Sequence, residues 1–172
     1  HSVKALQESG VFPDVLVCRT EYELNESIRR KLALFCNVQT DSVIQSIDAA
    51  TIYDVPKLMK EEQLDKVVLK KLGLSHTGEA DITNWEEFVY HLNNPKHTVD
   101  IALVGKYVEL KDSYKSISES FIHASSFSRC KVNLHWICSE KLDATSAIES
   151  LKIMDGVLVA PGFGPRGIEG KL

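Results

Sequence analysis

The residues with the clearest chemical capacity lie in the run Asp155-Gly-Val-Leu-Val-Ala-Pro-Gly-Phe-Gly-Pro-Arg-Gly-Ile-Glu-Gly-Lys-Leu172, an apolar strand that breaks into a glycine-dense loop. Glycines at 162, 164 and 167 let the backbone turn tightly and approach a ligand closely. Exposed amides in such a loop bind an anion or a developing oxyanion, and fixed donors of this kind lower an acyl-transfer barrier by about 3–4 kcal/mol. One cation suits phosphate. Arg19 directly follows the apolar Val15–Cys18 segment, and a guanidinium at the carboxyl end of a strand can grip phosphate with two prongs; alternatively it caps the next turn or pairs with Glu21. Lys31, by residue type alone, reads as a solvated lysine on the outer face of a helix that also carries Arg29 and Arg30.

The elements that would position these groups follow from periodicity. Residues 3–9 read as a short helix and Val15–Cys18 as a buried strand. Asn25 to Cys36 reads as a helix with Asn25 as N-cap and Ile28, Leu32, Phe35 and Cys36 turned inward. Ser42 to Ile47 is a second strand, followed by small helices over 56–62 and 64–72. From Gly73 to Ala80 the composition turns to Ser, His, Thr and Gly, which marks a surface connection. Thr83 with Glu86 fits a capping box for a helix bearing Trp85, Phe88, Val89 and Leu92, stopped at Asn93-Asn94-Pro95. A new unit opens with the Val99–Val104 strand, runs through Asp112 and Ser113 into a helix with Ile117, Phe121 and Ile122 inward, and adds a strand over Lys131–Cys138. A helix over Ala144–Leu151 and a strand over Gly156–Val159 complete it. Strand, loop, helix, repeated, is the opening of a doubly wound α/β sheet, whose functional loops lie beyond the carboxyl ends of the strands; the 105–112 and 160–171 loops are both there. Lys106, Tyr107 and Glu109 follow the first strand of that unit and suit domain docking.

Composition narrows the field. The 172 residues are 44% apolar and 26% charged, an ordinary globular balance. A net charge of −4 without a long basic run argues against a nucleic-acid surface. Neither a membrane span of about 18 apolar residues nor a signal-peptide pattern is present, so the chain reads as cytoplasmic. The four cysteines at 18, 36, 130 and 138 lack a C-x-x-C spacing and read as reduced thiols; Cys18, Cys36 and Cys138 sit in or beside apolar segments that look buried. The histidines at 91, 97, 123 and 135 lack metal-ligand spacing. A start at His1 without Met, and an end directly after a loop that should lead into a helix, make both termini look cut.

Six blocks in one order carry a family likeness: His1-Ser-Val-Lys-Ala-Leu, Pro13-Asp-Val-Leu-Val-Cys-Arg19, Lys31-Leu-Ala-Leu-Phe-Cys-Asn37, Thr51-Ile-Tyr-Asp-Val-Pro56, Val104-Gly-Lys-Tyr-Val-Glu-Leu110 and the terminal glycine loop. Together they resemble the CTP synthase family, ligases that aminate UTP with ATP and with ammonia released from glutamine. The resemblance implies the end of a P-loop-type amidoligase (synthase) domain over residues 1–72, an interdomain linker over 73–97, and the first half of a doubly wound class I glutamine amidotransferase domain over 98–172. It implies that Lys31 contacts the triphosphate of UTP or of the inhibitor CTP, that Arg19 lies near ATP, and that Ile47, Asp48 and Ala49 line adenine. By the same likeness Gly162 binds glutamine beside the oxyanion, and Arg166, Gly167 and Glu169 belong to a lid associated with the activator GTP. The family's usual text at the wall is Pro-Gly-Gly-Phe-Gly, whereas this chain has Pro161 before Gly162; a proline has no N–H, so the donor must come from Gly162 or beyond. ATP and Mg2+ would serve the intact enzyme, a homotetramer. Its P-loop, magnesium carboxylates and most of its UTP site are expected before residue 1, and the glutaminase Cys, His and Glu after residue 172. Other readings are a different glutamine amidotransferase fused to another ATP-dependent ligase, and a non-catalytic nucleotide-binding or assembly module.

Overall fold

The computed structural model describes residues 1–75, 78–142, 149–162 and 164. The chain divides into two compact units, His1–Glu86 and Glu87–Leu172.

The first unit begins with helix α1 (Ser2–Glu8) and continues with strand β1 (Leu16–Thr20), helix α2 (Glu26–Cys36) and strand β2 (Val43–Ile47). β1 and β2 pair in parallel from Leu16 opposite Val43 to Thr20 opposite Ile47, so α2 is the crossover that parallel pairing requires. Asn25 caps α2 as expected: its side-chain oxygen accepts the Ile28 N–H at 3.0 Å. Asn37 ends the helix in the left-handed conformation that asparagine tolerates, with φ 55°. The face that α2 buries differs from the expected one. Ala33 is buried and Leu32 and Cys36 are half-buried, whereas Phe35 is 83% exposed and Ile28 lies at the surface.

Arg29 explains the rotation. It was expected on the outer face, yet its side chain is only 20% exposed and joins the equally buried Glu62 through two bonds of 2.6 and 2.8 Å. Arg29 also donates to the carbonyls of Val43 at 2.8 Å and Leu24 at 3.1 Å, while Glu62 accepts the Gln45 N–H at 2.9 Å. The ion pair therefore satisfies a carbonyl and an amide on the side of β2 away from β1, and packs α2 and the end of the following helix, α3 (Val55–Glu61), against that strand. Val43 and Ile44, each 1% exposed, form the apolar centre beneath it.

Helix α3 (Val55–Glu61) has Pro56 in its first turn, where a missing N–H costs nothing, and α4 (Leu64–Lys71) follows closely. Helix α5 (Thr83–Asn93) spans the division between the units. Its start departs from the expected Thr83 capping box. Thr83 is the first helical residue, and the Asp81 carboxylate accepts its N–H at 3.0 Å, so the cap comes from two residues earlier. On the first unit's side, Trp85 Nε1 donates to the Tyr53 carbonyl at 2.8 Å.

The second unit contains β3 (His97–Gly105), α6 (Lys115–Ser128), β4 (Cys130–Cys138) and β5 (Gly156–Val159). All pairs are parallel, in the order β4-β3-β5. The central strand β3 is apolar through its second half because it is covered on both faces; Ala102 and Leu103 are 0% exposed. Ile117, Phe121 and Ile122 of α6 are half-buried as expected, but the most buried α6 residues are Ser125 and Ser126. Their hydroxyls bond the carbonyls of Ile122 and Phe88, each at 2.7 Å, which is how small polar groups are accommodated there. All four cysteines are free, and the buried one is Cys130, while Cys18, Cys36 and Cys138 are half-buried. Most of the helix expected over 144–151 lies outside the described residues.

The Arg29 guanidinium holds the Glu62 carboxyl below its ordinary range, helped by the Gln45 N–H and opposed by partial burial. A folded-state pKa below the unfolded one contributes stability that is complete above the unfolded value and is lost as pH falls through the folded value. Acid titration of the 172-residue chain should therefore remove this contribution below about pH 4. Glu62→Ala, which leaves Arg29 without its charge partner, should cost about 2 kcal/mol in urea unfolding at neutral pH and lose less on acidification than the wild type. Equal acid sensitivity of the two proteins would contradict this.

Candidate functional sites

Parallel pairing sends the carboxyl ends of β1 and β2 to one edge, and a cleft of about 430 Å3 opens there. Arg19, Ser46, Ile47, Asp48, Ala49, Thr51, Ile52 and Val55 line it. Four of these, Arg19, Ile47, Asp48 and Ala49, are the residues singled out from sequence, here gathered from both strand ends. The Asp48 N–H donates to the Thr20 carbonyl at 2.9 Å, continuing the ladder past the strands. Its carboxylate accepts Arg19 Nε at 2.8 Å. Arg19 thus pairs with Asp48, across the sheet, and not with the expected alternative Glu21. Its Nη1 and Nη2 groups have no partner among the described residues, so the guanidinium is oriented at one edge and open at the other. That arrangement can take a phosphate oxygen pair.

Thr51, Ile52 and Val55 were not assigned to this site from sequence. Their local signal is the Thr51-Ile-Tyr-Asp54 capping box, in which Thr51 accepts the Tyr53 N–H at 3.1 Å and Asp54 accepts the Thr51 N–H at 3.3 Å. The box turns the chain back beside Ile47–Ala49 and leaves Ile52 70% exposed as an apolar wall.

Lys31 does not line this cleft. It is exposed on α2 with no hydrogen-bond or ion-pair partner among the described residues. Helical spacing sets it beside Ile28, Leu34 and Phe35, of which Leu34 is 80% and Phe35 83% exposed. An ammonium is therefore framed by apolar surface, unlike the usual solvated lysine among charged neighbours.

In the second unit the strand order places a reversal between β3 and β5: the chain leaves β3 toward β4 on one side and returns to β5 on the other. Ligands in doubly wound sheets bind in the crevice outside the carboxyl ends at such a reversal. Two segments emerge there, Gly105 to Leu110 after β3 and Ala160 to Gly162 after β5. The Ala160 N–H donates to Val104 O at 2.8 Å, Pro161 has no donor, and the N–H of the partly exposed Gly162 has no partner among the described residues. Gly162 is thus the first uncommitted amide after β5. Gly164 has φ +81° with open space around its Cα, a backbone that favours glycine. Phe163 and the expected lid residues Arg166, Gly167 and Glu169 lie outside the described residues.

On the loop after β3, Lys106 Nζ stands 4.8 Å from the Tyr107 ring centre, and Glu109 pairs with Lys141 at 3.2 Å. His135 and Asp100 form a 2.7 Å pair, and Asn133 also donates to Asp100, so the carboxyl of Asp100 is held below its ordinary range by His135 first and Asn133 second. This cluster sits on the strand bodies before their carboxyl ends, away from the crevice. Among the described residues no group of three or more His, Cys, Asp or Glu side chains could hold a metal ion. Among them, too, no helix is long and apolar enough to cross a membrane.

Residues 1–74 match the family model for the CTP synthase N-terminus. The chain is 64% identical over all of its 172 residues to the CTP synthase of Flavobacterium psychrophilum, covering 32% of that protein. Likewise it is 59% identical to the CTP synthase of Cytophaga hutchinsonii and 52% identical to that of Porphyromonas gingivalis, again over its full length and 32% of each relative. The chain thus spans about a third of the length of the curated relatives it matches, and with an alignment that runs through both units it matches the CTP synthases as a partial stretch of the full-length protein.

Proposed function

We propose that these residues form the end of the synthase domain (1–72), the linker (73–97) and the first part of the glutaminase domain (98–172) of a CTP synthase. The observation that carries this reading is an alignment that spans all 172 residues of the chain, with 64% identity overall. The division of the chain after Glu86 lies inside the proposed linker range and supports it. The activity is ATP-dependent amination of UTP: phosphate is transferred to O4 of UTP, making that oxygen a leaving group, and ammonia from glutamine displaces it to give CTP and inorganic phosphate. The proposed setting is a cytoplasmic homotetramer.

Within that reaction the residues of this chain bind and orient. Arg19, steadied by Asp48, takes phosphate oxygens of ATP through its open Nη edge, while Ile47 and Ala49 present backbone and apolar contact to adenine beside Ile52. Lys31 takes the triphosphate of UTP, or of CTP as inhibitor, from a surface whose apolar frame strengthens its charge once water is displaced. The Gly162 amide is the donor of the wall against which glutamine is held, and the lid role of Arg166, Gly167 and Glu169 toward GTP completes the proposal. In the intact enzyme Mg2+ would supply charge neutralisation to the transferred phosphoryl group.

Two measurements test this. The complete polypeptide that carries these residues should form CTP from UTP, ATP, Mg2+ and glutamine, whereas the 172-residue chain alone should form none; turnover by the chain alone would refute its assignment as two partial sites. In the complete enzyme Arg19→Ala should raise the KM for ATP about tenfold, the worth of one charge-assisted hydrogen bond, with the KM for glutamine unchanged. An unaltered KM for ATP would remove Arg19 from the nucleotide site.

A further inference from the structure

We infer that Tyr114 is a positioning residue for the Gly162 wall, acting through Gly105 and Ala160. The inference rests on the glutaminase reading of the second unit. Tyr114 ends the 3-10 turn Lys111–Tyr114 that leads into α6, and it is 4% exposed. Its hydroxyl accepts the Tyr107 N–H at 3.3 Å, fastening the turn that follows β3. The same hydroxyl lies over Gly105 so closely that a Cβ there would stand 2.5 Å from Oη and 2.8 Å from Cζ. Gly105 does not have a positive φ, so the position is glycine for room and not for backbone freedom.

The ring also belongs to one packed group with Leu103, Val108 and Ala160, and meets Trp136 at a centroid distance of 6.2 Å. Ala160 is the last β5-side residue before Pro161 and Gly162, and it is tied to Val104, the residue before Gly105. Tyr114 therefore joins three parts at the chain reversal: the turn after β3, the start of α6, and the end of β5. Pro161 adds no donor, so the placement of the Gly162 amide is inherited from Ala160. A donor serving an oxyanion works only at a fixed place, and a misplacement of about 1 Å costs on the order of a hundredfold in rate. The phenol supplies that fixity from behind the wall without touching substrate.

The test compares nitrogen sources in the complete enzyme. Tyr114→Phe keeps the ring and removes the hydroxyl; glutamine-dependent kcat should fall about tenfold with the KM for glutamine little changed, while CTP formation from added ammonia stays at the wild-type rate. Gly105→Ala presses on the ring from the other side and should show the same selective loss, larger in size. A Tyr114→Phe enzyme as active as wild type with glutamine would overturn the inference, and so would equal losses with glutamine and ammonia, which indicate a merely structural role. If the wild-type enzyme itself used ammonia but never glutamine, the glutaminase reading would fail, and the role of Tyr114 with it.

Discussion

Parallel strand pairing is the constraint on which both candidate sites depend. Two parallel strands require a crossover, and the crossover brings the second strand back so that both end at the same edge. Residues remote in sequence then become neighbours without any attraction of their own: Arg19 meets Asp48 because Thr20 and Ile47 are in register, and Ala160 meets Val104 because β5 joins β3. In each contact one partner, Asp48 or Ala160, lies one step past its strand and extends the ladder by one bond.

The two units meet this constraint with different physical means. In the first, β2 is braced by charge: the Arg29–Glu62 pair also bonds an amide and a carbonyl of the strand itself. Removal of one partner would strand the other in a half-buried place. In the second, the carboxyl end of β3 is braced by contact, a phenol seated over a glycine. Charge tolerates small displacements and depends on pH; close packing tolerates neither an added methyl nor a lost hydroxyl, and is indifferent to pH.

This contrast also marks what was legible in the sequence. Strands and helices came through because their signals are local: apolar runs bounded by Gly or Pro, and an Asn25 cap. Arg19 was legible as a cation at a strand end, whereas Ile47 to Ala49 came from the family likeness, and sheet topology then brought the two strand ends to one cleft. What failed was the choice of face on α2. Periodicity ranked Phe35 above Arg29 for burial, because a scale of hydrophobicity values a guanidinium by its cost in an apolar medium, not by the four acceptor atoms that wait for it at Leu24, Val43 and Glu62. Ser125 and Ser126 escaped notice likewise, as their burial depends on acceptors that only the folded helix presents. Ile52 was hidden by an ordinary-looking turn whose direction is set by Thr51 and Asp54.

The geometry further separates two kinds of recognition, with different tolerance to substitution. At the first cleft, adenine would meet backbone and generic apolar surface, so the side chains at 47 and 49 can vary without altering which backbone atoms are offered. At the glycine loop, on the proposed reading, the backbone itself would be the donor, and an exchange at one position changes the atoms directly: Pro161 offers no N–H. The next amide, Gly162, has no partner among the described residues, and Ala160, held by Val104 and packed on Val108 and Tyr114, fixes the point from which that amide is reached. A proline also narrows the backbone at 161 to one φ, so the wall sacrifices a donor and gains rigidity in the residue that carries the remaining one.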